Sequence, residues 1–311
     1  MLASEIQERK NRKSLIVLVV LVVATVAAFF VVRQKNRVTV DKNFFRTVDL
    51  ESIDKIRIEN LRDTIELTFE NSRWRVNNRY PADRSLVTLF FATLKQAEPK
   101  REMTAGITDS VRASASNVVL YSGAEVVQNF VAFGNASRTQ SFFQDPKSGR
   151  NFLMTIPGYR VYVSGIFELT TGGWRDKMVF GTFNWRNFQS LEARFPDKPG
   201  ESFKVQPAGD GLFGIEGIKT DTAKLNTFLD DVSLISVEDY PESLKLRDSL
   251  TQVKPFLNLI VTDIANKQQT LSIYRENETG VLGLSMGEDP VIFNAQRIRN
   301  IIRPKSFFVQ K

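Results

Sequence analysis

Hydrophobic and polar positions change their rhythm along this chain. From Leu15 to Val32 the run LIVLVVLVVATVAAFFVV carries no charge, and Thr25 is its only polar side chain. A helix of that length spans about 27 Å, close to the roughly 30 Å hydrocarbon core of a bilayer. In lipid a helix bonds all its backbone groups internally, so the many Val residues are no obstacle. Val26 and Ala28 fit a small-x-small cleavage site, but Phe29 to Val32 follow directly, and cleavage there leaves an apolar new terminus. The run therefore reads as an uncleaved anchor. Residues 33–52 are polar and irregular, with Phe44-Phe45 as their only apolar pair. They read as a tether reaching at most about 65 Å.

Beyond the tether the rhythm is period two. Residues 53–59, 64–70 and 74–76 predict three strands, and Tyr80-Pro81-Ala82 breaks the pattern. Asp83 then stands as an N-cap before Leu86, Leu89-Phe90, Leu94 and Ala97 at helical spacing. Residues 118–121, 126–133, 140–144 and 152–156 predict four more strands. After Pro157-Gly158, Val161, Val163, Ile166-Phe167 and Leu169 read as a helix closed by Gly172-Gly173. The order then recurs. Strands at 188–194, 202–205 and 212–215 precede an Asp221-capped helix. Strands at 256–263, 269–275, 281–285 and 291–293 precede a helix at 295–302 stopped by Pro304.

Short turns between many strands predict an α+β fold of duplicated antiparallel sheets with packed helices, preceded by one transmembrane helix. The expected organisation is a basic tail at 1–14, the span at 15–32, the tether at 33–52, and α+β halves at 53–184 and 185–311. The apolar segment from Trp174 to Trp185 is expected to lie buried against both halves and join them as one rod, because flexible linkers are polar.

Composition narrows the chemistry. The chain has no His and no Cys, which excludes a Ser-His-Asp triad, a thiol nucleophile, an iron–sulfur cluster and an ordinary zinc site. Neither metal-binding nor cofactor-binding residues are predicted. The net charge of +7 arises mostly at the anchor: residues 1–37 hold seven basic and two acidic residues, and the rest of the chain is close to neutral. That distribution argues against nucleic acid as a partner. Basic residues flank the span almost evenly, but a short basic tail stays inside and a long domain translocates regardless of charge. The expected topology is an N-terminus in the cytoplasm and the body outside, in the periplasm of a bacterial inner membrane.

Literal motif matches fail on context. Gly209-Asp210-Gly211-Leu212-Phe213-Gly214 has the G-x-G-x-x-G spacing, but a strand pattern follows where a phosphate-binding helix is required. Ser52 and Lys55 have S-x-x-K spacing at a strand entry, where the two side chains diverge. The acidic pairs Asp230-Asp231, Glu238-Asp239, Glu276/Glu278 and Glu288-Asp289 leave a carboxylate chemistry open. The most distinctive stretch is Trp174-Arg175-Asp176-Lys177, readable as a partner contact or as a packed inter-half junction.

Several segments together resemble the bacterial domain-of-unknown-function family 4340. They are the single N-terminal span, Ile-Asp-Lys-Ile-x-Ile at 53–58, Trp-x-Val at 74–76, Arg-Tyr-Pro-Ala-Asp at 79–83 and Arg-Asp-Lys at 175–177. The likeness covers most of residues 53–238. It implies an envelope accessory protein working beside an ABC-type transport system of the gliding-motility kind, and it carries over no catalytic residues. The expectation is a non-enzymatic, membrane-anchored scaffold whose partners include ABC-type transporter subunits. The alternative is a periplasmic glycan-binding protein or a carboxylate-based glycan hydrolase.

Overall fold

A computed structural model describes residues 2–35, 40–46, 49–103, 115–181, 186–209, 212–241, 244–276 and 280–310. Helix α1 runs unbroken over Leu2–Lys35 and includes an apolar stretch long enough to cross a membrane. Its side chains from Asn11 to Phe29 are exposed, so no protein surface accounts for their apolar character.

The rest is two antiparallel sheets. The first holds β1 (Lys55–Glu59), β2 (Thr64–Glu70), β3 (Arg73–Val76), β4 (Tyr80–Pro81), β5 (Glu98–Met103), β6 (Ser116–Ser122), β7 (Glu125–Gly134), β8 (Ser141–Gln144) and β9 (Asn151–Thr155). Their order is β4-β3-β2-β1-β6-β7-β8-β9-β5. The second holds β10 (Phe188–Arg194), β11 (Phe203–Pro207), β12 (Phe213–Ile215), β13 (Leu257–Asp263), β14 (Gln268–Ile273), β15 (Val281–Ser285) and β16 (Asp289–Phe293), ordered β12-β11-β10-β13-β14-β15-β16. Without β4 and β5, which add one strand at each edge, the first order overlays the second strand for strand.

The helices repeat with the strands. Helix α2 (Arg84–Gln96) buries Val87, Phe90 and Leu94 and is capped by Asp83, whose Oδ1 accepts from the N–H groups of Ser85 at 2.8 Å and Leu86 at 3.1 Å. The second-sheet helix, Thr222–Ser233, buries Leu225, Phe228 and Val232 at the same spacing from its cap Asp221. Each repeat closes alike. Asp83 N–H donates to the Trp174 carbonyl at 2.9 Å, and Asp176 N–H to Pro81 at 2.9 Å. Asp221 N–H donates to Phe308 at 2.8 Å, and Gln310 N–H to Lys219 at 2.9 Å. Trp174 meets Phe90 edge-on at 5.9 Å, and Phe308 meets Phe228 edge-on at 5.2 Å.

Several expectations change. The tether does not extend to residue 52: Phe45 is buried against Phe130, Phe143 and Phe152, and its carbonyl accepts from Gln128 Nε2 at 2.7 Å. Phe180 is the corresponding plug ahead of β10 in the second core. Trp174 lies in the first core alone, whereas Val179 and Phe180 lie in the second. The cores therefore change over ahead of the expected 184/185 division, and Trp174 does not fill a seam between halves. Phe183 and Trp185 lie outside the described residues. Residues 157–173 form a 3-10 turn at Val163–Glu168 and a short helix, α3 (Thr171–Trp174), that contains Gly172-Gly173 instead of ending at them. The helix expected at 295–302 is short, Ala295–Ile298, with Asn294 as its cap. Strand β5 and the helix Leu244–Gln252 appear without a predicted counterpart.

Candidate functional site

The two repeats meet at a cleft of about 370 Å³. Asp63, Arg79, Tyr80, Thr171 and Arg175 form the first repeat's wall. Tyr240, Pro241, Arg247, Glu288 and Asp289 face them from the second.

Arg175 lines this cleft where the chain leaves α3. Trp174 ends that short helix with its side chain in the first core, and Arg175 follows as its C-cap in extended conformation. The extended path is held by the bridge between Arg175 and Ala82. The guanidinium then lies between the rings of Tyr80 and Tyr240, 3.6 Å from each centroid, one ring from each repeat. Arg175 Nη2 donates to Asp289 Oδ2 at 3.1 Å, and its side chain is only 12% exposed. Tyr80 Oη donates to Asp289 Oδ1 at 3.5 Å. A planar cation with two aromatic faces and a carboxylate at its edge satisfies its charge and its stacking surface together.

The neighbouring residues hold the linker. Tyr240 Oη donates to the Asp176 carbonyl at 2.6 Å, and burial pushes the Tyr240 hydroxyl up to about 12. Asp176 Oδ1 accepts from Met178 N–H at 3.0 Å. Lys177 Nζ donates to the Glu238 carbonyl at 2.9 Å. Val237 N–H donates to Lys177 at 2.8 Å and Val179 N–H to Ile235 at 3.2 Å, so the linker pairs along residues 235–237.

Of the four residues singled out in the sequence, Arg175 alone lines the cleft. Trp174 is core, and Asp176 and Lys177 fasten the junction. Among the acidic pairs, Glu288-Asp289 reaches the cleft; Asp239 bridges to Ile292, Glu276 pairs with Arg299 at 3.4 Å, and Glu278 lies outside the described residues. Asp63 joins Glu288-Asp289 there, its Oδ2 accepting from Thr171 N–H at 2.8 Å. Sequence reasoning missed Tyr240 and Arg247. Arg79-Tyr80 stood inside the family-like motif, which was the one signal for them.

Phe213-Gly214 of the glycine-rich match lie in strand β12, which pairs antiparallel with β11 through Pro207 and Phe213, where a phosphate-binding motif needs a helix; Asp210-Gly211 lie outside the described residues. Lys55 pairs with Glu66 at 2.9 Å, and Ser52 Oγ donates to the Asp49 carbonyl at 3.1 Å, so these two are engaged apart from one another.

Fold and site together define a two-repeat α+β protein with an N-terminal helix long and apolar enough to span a membrane. No family model, curated protein or solved structure matches the chain.

Proposed function

We propose that this protein is a non-enzymatic, single-pass envelope protein whose double repeat serves as a binding and scaffold module for an ABC-type transport assembly. The observation that carries the reading is helix α1, whose side chains from Asn11 to Phe29 are apolar over a membrane-spanning length yet exposed. Two further features support it. The plug at Phe45 keeps the first repeat close to the bilayer, since the stretch from Val32 to Val40 reaches at most about 30 Å. The segments that resemble the family with neighbouring transporter genes supply the partner class. In this reading the N-terminus is cytoplasmic and the body stands in the periplasm of a bacterial inner membrane.

Affinity purification of the full chain from cross-linked membranes tests the proposal. Co-recovery of transporter subunits is expected, and recovery without any membrane or envelope partner overturns it. Protease protection of vesicles tests the topology: a body digested only from the cytoplasmic face reverses it.

A second reading, as a glycan-binding protein or carboxylate-based glycan hydrolase, is favoured by one observation. Asp63, Glu288 and Asp289 share an inter-repeat cleft with Tyr240. Hydrolysis of envelope glycan fragments that is lost in both Asp63→Asn and Glu288→Gln would replace the first reading with this one.

A further inference from the structure

The cleft brings together three guanidinium groups, and they are held very differently. Arg175 is stacked on both faces and bonded to Asp289. Arg79 leans over the Tyr80 ring, 4.9 Å from its centroid; its ion-pair contacts are Glu288 at 3.9 Å and Asp289 at 4.0 Å, beyond hydrogen-bond length. Arg247 comes from the helix Leu244–Gln252 of the other repeat, and its Nε and Nη2 both donate to its own chain neighbour, Asp248 Oδ1, at 3.2 Å. That pair is solvent-exposed, and an exposed pair between neighbours is worth little.

The carboxylates are unequal too. Asp289 is engaged by Arg175, and Asp63 accepts the Thr171 N–H. Glu288 stands at the rim with its side chain 73% exposed. Arg79, whose acidic neighbours lie beyond hydrogen-bond length, and Arg247, whose exposed bonds to Asp248 a ligand can exchange, thus line one cavity from opposite repeats. Pro241, Pro290 and the Tyr240 ring add apolar surface beside them. A volume of about 370 Å³ is that of a small-ligand site, and repeat interfaces are where such sites form.

We infer that this cleft binds a small ligand through an oxyanion, a carboxylate or a phosphate group, received by Arg79 from the first repeat and Arg247 from the second. Both anions match the planar fork of arginine, which bonds them through two parallel N–H groups. Glu288 competes with the ligand for Arg79, so its removal strengthens binding. A ligand held this way links the repeats through a second set of contacts besides the Arg175 stack. The inference stands apart from the anchored-scaffold reading, because its measurement is of anion binding alone and its failure leaves that reading in place.

The test is a thermal-shift titration of the full chain in detergent, with sodium phosphate and with sodium acetate, each against sodium chloride at matched ionic strength. A saturable rise in melting temperature is expected with one or both anions. Phosphate alone assigns a phosphorylated ligand, and acetate alone a carboxylate. Arg79→Gln and Arg247→Gln are each expected to weaken half-saturation about tenfold, the order of one lost charge-assisted pair. Glu288→Gln is expected to tighten it. Arg79 and Glu288 are exposed, so both variants should melt like the parent in chloride, which separates binding from folding. Absence of a saturable shift with either anion overturns the inference. So does an unchanged half-saturation in Arg79→Gln, or a weakened one in Glu288→Gln.

Discussion

The backbone N–H of Asp83 donates to the carbonyl of Trp174 at 2.9 Å, tying the N-cap of the first repeat's helix to the segment that ends that repeat. The same bond recurs between Asp221 and Phe308 at 2.8 Å. Each closing aromatic then covers a helix Phe seven residues beyond the cap, Phe90 in one case and Phe228 in the other. In the first repeat the closing segment continues as Arg175, so the clamp between repeats grows directly out of the closure of one of them.

Trp174 tests that closure. It is fully buried, and truncation to Ala is expected to cost about 3–5 kcal/mol. Its indole Nε1 lacks a hydrogen-bond partner, so Trp174→Phe loses volume without losing a bond. That variant, which copies the second repeat's Phe308, is expected to stay within about 1.5 kcal/mol of the parent. Denaturant unfolding of both variants compares them, and equal losses would show that closure depends on the indole itself.

Arg175 tests the clamp. Arg175→Ala removes the stack between Tyr80 and Tyr240 and leaves Asp289 without its bonded cation. The expected loss is about 2–3 kcal/mol, below that of a fully buried pair because Asp289 keeps some solvent. Arg175→Lys is expected to restore little, since an ammonium has no planar faces to fill a 3.6 Å sandwich. Proteolysis within the linker after Lys177 should accelerate in both variants, and a Lys variant as resistant as the parent would refute the stacking argument.

Tyr240 gives the clamp an alkaline limit. Burial raises its folded-state value to about 12, against about 10 unfolded. Below pH 10 both states are protonated and the contribution is complete. Between pH 10 and 12 the unfolded state releases the proton first, so stability falls as pH rises. The loss over that window is on the order of 2 kcal/mol. Subtracting the pH profile of Tyr240→Phe from that of the parent isolates it, and superimposable profiles would contradict the assigned burial effect.

The lead-in plug predicts where the chain can be shortened. A body beginning at Val40 keeps Phe45 and the Lys42–Glu98 ion pair, and is expected to melt near the full chain while no longer sedimenting with membranes. A body beginning at Ile53 lacks Phe45 and is expected to be weaker by about 3–5 kcal/mol. Calorimetry of the two truncations decides this; equal melting would return residues 40–52 to the role of a tether.

What was legible in the sequence was local. The uncharged run at 15–32, the period-two strands and the caps at Asp83 and Asp221 each depend on residues within a few positions of one another. The element order they produced pointed to the doubled α+β arrangement. Strand β5 was illegible because Glu98 to Met103 includes a proline and four charges, the composition of an exposed sheet edge and not of a half-buried strand. Its place is set by pairing with β9, far along the chain. Phe44-Phe45 looked like an isolated pair until Phe130, Phe143 and Phe152 surrounded it. The stretch Trp174 to Lys177 stood out in the sequence, but sequence could not divide its roles. The chain's exit from α3 leaves Trp174 in one core and Arg175 in the cleft, and only the docking of the second repeat brings Tyr240 and Asp289 onto that guanidinium. Hydrophobic period is a property of neighbours in the chain, whereas a cation stacked between rings of two repeats is a property of how distant surfaces meet, and tertiary structure alone decided it.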